Sequence, residues 1–89
     1  MEEIQKKIRE TGKEVTNFLL KKNKQYGNSV FEPIGIFSKG TSQEGLRVRI
    51  DDKLNRLMQG NDSLETDEDI VKDLIGYLTL LLIMMREEK

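Results

Sequence analysis

Eighty-nine residues set the scale of one small domain, and a core of that size is marginal by surface-to-volume arithmetic. With no cysteine and no histidine, disulfide staples and thiolate or imidazole metal sites are both excluded, which leaves only carboxylates to hold a hard ion such as Mg²⁺. Fifteen basic and sixteen acidic side chains nearly cancel, so the basic excess of a dedicated nucleic-acid binder is missing and no nucleic-acid partner is expected.

The elements read as all-α, in a single domain over residues 1–89. Ile4, Ile8, Val15, Phe18 and Leu19 recur at helical spacing and predict a first helix over Glu2–Tyr26. Gly12 weakens that helix without breaking it. Tyr26-Gly27-Asn28-Ser29 ends it, with Gly27 as the left-handed cap. Val30 to Phe37 is apolar without a helical period, and Pro33 and Gly35 argue against a long helix there. It reads as a packed apolar loop between the first two helices.

Thr41 followed by Glu44 has the capping-box pattern and starts a second helix over Ser42–Met58. Leu46, Ile50, Leu54 and Leu57 are its expected buried stripe, and Gly60 is its stop. Asn61 to Ser63 reads as polar loop. Thr66 and Asp69 repeat the capping box, with acids at the positive end of a third helix over Asp67–Arg86.

From Ile70 to Met85 only Lys72, Asp73, Gly76, Tyr77 and Thr79 interrupt an apolar run. A membrane helix needs about 20 mostly apolar residues, so this run is too short and no membrane partner is expected. No apolar signal region opens the chain, and a cytoplasmic location is expected, in the host cell if the protein is phage-encoded. A helix apolar nearly all round must be covered nearly all round. Two neighbours cover one side, so the expectation is a homo-oligomeric bundle in which Leu78, Leu81, Leu82 and Met85 meet another subunit. Gly76 is expected to admit a close neighbouring backbone. Cover by the Val30–Phe37 loop is the alternative.

Polar residues suggest where chemistry sits. Arg49, Asp52, Lys53 and Arg56 are spaced by three and four and share one rim of the second helix. Three cations with one acid suit a phosphate, and an ordinary solvated face with internal ion pairs is the alternative. Asp73 lies close to the apolar arc and needs a cation, expected among Arg49, Lys53 and Arg56. Lys22, Lys24, Tyr26, Asn28 and Ser29 cluster around Gly27, where a cation, a ring and turn N–H groups suit a base and phosphate.

Three stretches carry a family resemblance: Lys24 to Ser29, Arg49 to Leu57, and Asp69 to Tyr77. In this order they resemble the phage and bacterial family called nucleotide modification associated domain 1. Its pattern is a Lys-x-x-Tyr-Gly turn, an Arg-x-x-Asp-Lys-x-x-Arg helix and an Asp-x-x-Gly-Tyr helix. The match covers about Lys22 to Leu82. The layout also looks distantly like the all-α nucleotide pyrophosphohydrolases of the MazG and dimeric dUTPase type, whose paired acids hold Mg²⁺.

The resemblance implies nucleotides and phage biology more than a reaction. Small size with an incomplete acid set makes sequestering a host immune signal one use. The expectation is a phage-type homo-oligomer that binds a nucleotide or cyclic nucleotide between its helices. Lys24, Tyr26, Gly27, Asn28, Ser29, Arg49, Lys53, Arg56, Asp73 and Tyr77 are its expected ligand-binding residues. No catalytic residue and no cofactor are assigned. One alternative is a Mg²⁺-dependent pyrophosphohydrolase with Asp52, Asp69 and Asp73 as metal ligands. Another is an interaction protein that inhibits a host enzyme.

Overall fold

The computed structural model describes residues 2–27, 40–60 and 65–87, the Tyr26 side chain excepted. The apolar loop expected over Val30–Phe37, the loop over Asn61–Ser63, Asn28 and Ser29 lie outside those residues. The described part is all-helical, with α1 over Glu2–Tyr26, α2 over Ser42–Gln59 and α3 over Asp67–Glu87.

The end of α1, both ends of α2 and the start of α3 are each fixed by local chemistry. Gly27 has φ 69° and Gly60 has φ 65°, both left-handed, where a Cβ would be strained. Gly27 N–H donates to the Asn23 carbonyl at 2.7 Å. At the start of α2, Glu44 N–H donates to Thr41 Oγ1 and Thr41 N–H donates to Glu44 Oε2, a complete capping box. Thr66 and Asp69 make the same reciprocal pair before α3. Two orphan donors are satisfied at each start, so the elements are held at their ends before any tertiary packing.

Among the described residues the core is Val15 from α1, Leu46 from α2, and Ile70, Leu74 and Met84 from α3. α3 is the central element, since both other helices pack on it. Its contact with α1 is close at Gly76, where an added Cβ would meet Leu19 Cδ1 at 3.2 Å. The glycine therefore admits a side chain of α1.

One expectation about a buried face needs correction. Leu54 is 45% exposed and does not belong to the buried stripe of α2. At 100° per residue it sits about 80° round from Leu46, whereas Lys53 falls about 20° from it. The inward line is thus Leu46, Ile50, Lys53 and Leu57, with a charged residue near its centre. Ile4 and Ile8, at 55% and 67% exposed, are uncovered because α1 meets α3 only through its C-terminal half.

On α3, Val71, Ile75, Leu78, Leu82 and Met85 are each between 40% and 50% exposed. Their spacing is four, three, four, three. That is the 3.5-residue period of a helix–helix seam, and it lies on one face. Thr79, beside this seam, returns its hydroxyl to the Ile75 carbonyl at 2.7 Å and so needs no outside partner. Leu81 is half-buried within the chain and does not join the exposed seam. Among the described residues no helix is long and apolar enough to cross a membrane.

Candidate functional site

The three helices enclose an open cavity of about 500 Å³. This is within the roughly 300–1,000 Å³ of ordinary small-molecule sites. α1 brings Phe18, Leu19, Lys22, Asn23 and the Gly27 turn. α2 brings Arg49 and Lys53. α3 brings Lys72, Asp73, Gly76, Tyr77 and Leu80, and Glu65 enters just ahead of it.

Of the ten expected binding residues, Gly27, Arg49, Lys53, Asp73 and Tyr77 line this cavity. Lys24 and Arg56 lie outside its lining. Asn28, Ser29 and the Tyr26 side chain lie outside the described residues.

Helix geometry explains the floor of the cavity. Lys53 points inward from α2, where its ammonium meets two carboxylates. It lies 2.9 Å from Asp73 Oδ2 and also contacts Glu65 Oε1. Asp73 Oδ1 accepts from Lys22 Nζ at 3.2 Å, and Glu65 Oε2 is 3.1 Å from Arg56. The result is an alternating chain, Lys22, Asp73, Lys53, Glu65, Arg56, that joins all three helices. The cation expected for Asp73 is Lys53. Arg56 instead turns to Glu65 and is half exposed.

Lys53 and Asp73 side chains are each only 12% exposed. Burial alone would raise the Asp73 pKa, but hydrogen bonds from Lys53 and Lys22, with their charges, outweigh it and hold the carboxyl below its usual 3.8. Burial likewise opposes the Lys53 charge, yet Glu65 and Asp73 raise that ammonium above its usual 10.5.

A pH dependence follows with a definite sign. Asp73 binds protons less readily folded than unfolded, so its contribution is present above 3.8 and is lost as pH falls through its depressed folded value. Lys53 contributes fully below 10.5 and loses that contribution as pH rises through its raised value. The two shifts share one contact and count once. Thermal melting against pH is expected to show a plateau with an acid limb below 3.8, and Asp73→Asn is expected to shrink that limb. An identical acid limb in Asp73→Asn would remove Asp73 from this account.

The remaining cations behave differently. Arg49 and Lys72 line the cavity without a carboxylate partner among the described residues. Lys72 Nζ lies 4.7 Å from the Phe18 ring centre, and Lys22 Nζ lies 4.9 Å from the same ring. A ring attracts an ammonium through its quadrupole and leaves the full charge in place. Among the described residues the cavity wall carries four cations against two carboxylates, a basic balance in a chain of formal charge −1.

The donors of the Mg²⁺ alternative are engaged elsewhere or stand apart. Asp69 is taken up in the α3 capping box, Asp73 is held by two lysines, and Asp52 is exposed. Among the described residues no three acidic side chains come together as a metal site. The set Asp52, Asp69 and Asp73 does not fit Mg²⁺.

No family model, curated protein or solved structure matches this chain. The three motifs therefore rest on their own residues and on where the fold places them.

Phe18, Glu65 and Lys72 were not read as site residues from the sequence. Glu65 carried a weak signal, as an acid one residue ahead of the Thr66 cap. Lys72 carried another, as a lone cation inside an apolar run.

Proposed function

We propose that this protein binds a nucleotide or cyclic nucleotide between its helices and holds it without cleaving it. The supporting observation is the basic cavity that gathers Gly27, Arg49, Lys53, Asp73 and Tyr77 from the three motifs. Arg49 offers the planar fork suited to phosphate oxygens. Tyr77 offers a ring for a base, and among the described residues no acid set fits a metal, which supports retention over hydrolysis.

In this reading the protein works as a homo-oligomer, assembled through the exposed 3.5-residue seam of α3. A phage-type protein that retains a cyclic nucleotide intact is suited to sequester a host immune signal.

The test is incubation of the purified protein with a nucleotide panel, with and without Mg²⁺, followed by separation, denaturation and chromatography. The expected result is a ligand released intact, with affinity largely unchanged by a chelator. Conversion to monophosphate, or binding lost on chelation, overturns retention in favour of hydrolysis. A panel in which nothing is retained or converted overturns nucleotide binding altogether.

A further inference from the structure

The alternating ion-pair chain changes which cations are free to meet a ligand. Both oxygens of Asp73 and both oxygens of Glu65 already face cations, and Lys53 is shared between the two acids. An incoming anion would have to break buried contacts to reach Lys53. Among the described residues Arg49 and Lys72 have no such contacts to break, and they approach the cavity from different helices. Phe18 steadies Lys72 without neutralising it.

We infer that Arg49 and Lys72 form a two-cation clamp for a phosphoryl oxyanion across the cavity, and that Lys53 positions the helices beneath it. This rests on the nucleotide-binding reading and assigns its anion contacts. Lys72, which interrupts the apolar run of α3, becomes a specificity residue. Its ammonium supplies a point charge and Arg49 supplies a fork of donors, so the pair suits a group with several anionic oxygens. A neutral nucleoside offers this clamp nothing to hold.

The experiment uses the full chain, with pyrophosphate and a set of nucleoside monophosphates as probes and calorimetry as the readout. Arg49→Gln and Lys72→Gln are each expected to weaken binding of both probe types by about tenfold to a hundredfold, the range for a lost charge-assisted hydrogen bond. Their melting temperatures should stay close to the parent's, because among the described residues neither holds an ion pair and Lys72→Gln loses only its contact with the Phe18 ring. Lys13→Gln, on the exposed face of α1, removes the same charge and should leave binding unchanged. Lys72→Arg should restore most of what Lys72→Gln loses.

Nucleotide affinity untouched by Arg49→Gln and Lys72→Gln overturns the clamp and leaves nucleotide binding standing. Pyrophosphate affinity that falls in both variants, with no added affinity from any nucleoside, sustains the clamp and overturns the nucleotide reading. Equal weakening by Lys13→Gln reduces the effect to net charge and overturns the clamp.

Discussion

Asp73→Ala is expected to destabilise the fold by about 2–3 kcal/mol. Removing one partner of a fully buried ion pair costs about 3–5 kcal/mol, because the other charge is left without compensation. Here the cost is smaller for two reasons. Lys53 keeps its contact with Glu65, and Lys22 is exposed enough to be hydrated. In a domain of this length each kcal/mol moves the melting temperature by about 4–8 °C, so the expected drop is about 8–24 °C. Urea denaturation should show a lower midpoint with an unchanged slope. An unfolding free energy within about 0.5 kcal/mol of the parent would show that water already screens the whole chain of charges, as it does for surface pairs.

The residues around Asp73 also show how far the sequence could be read. The helix ends were legible because each is written locally: Thr41 with Glu44, Thr66 with Asp69, and the glycines at 27 and 60. The need of Asp73 for a cation was legible too, since a carboxylate near an apolar arc is costly alone. Its second partner was not, because Lys22 lies 51 residues away in sequence and only the packing of α1 on α3 brings it near.

The inward line of α2 misled for a related reason. A hydrophobic stripe drawn from side-chain type prefers Leu54 to Lys53. The observed phase prefers Lys53, because Glu65 and Asp73 wait for it on the other side. Burial of a lysine is decided by residues that periodicity does not see. Phe18 was read correctly as apolar, yet its use as a support for two ammonium groups depends on a tertiary meeting of α1 with α3. Ile4 and Ile8 show the converse. Their spacing predicts a helix, and the helix forms, but spacing says nothing about whether any element of the same chain covers them.

Leu78→Asp is expected to abolish self-association while leaving the fold of a single chain nearly intact. Leu78 sits at the middle of the exposed seam and is half exposed within one chain. A charge there costs a lone subunit little. In an interface through that seam the same charge would be desolvated without a partner, at about 3–5 kcal/mol, which weakens association by roughly a hundredfold to several thousandfold. Leu78 is a cleaner probe than Leu81, which is half-buried inside the chain, so a charge at Leu81 would damage folding and assembly together. Val48→Asp is the matched control. Val48 is also exposed, on α2, but it stands away from the five-residue line of α3. Light scattering at micromolar concentration should give a multiple of the chain mass for the parent and for Val48→Asp, and the single-chain mass for Leu78→Asp. A parent that is a stable monomer at that concentration would refute assembly through α3. A Leu78→Asp protein that remains assembled would place the contact elsewhere, with the uncovered Ile4 and Ile8 face of α1 as the next surface to probe.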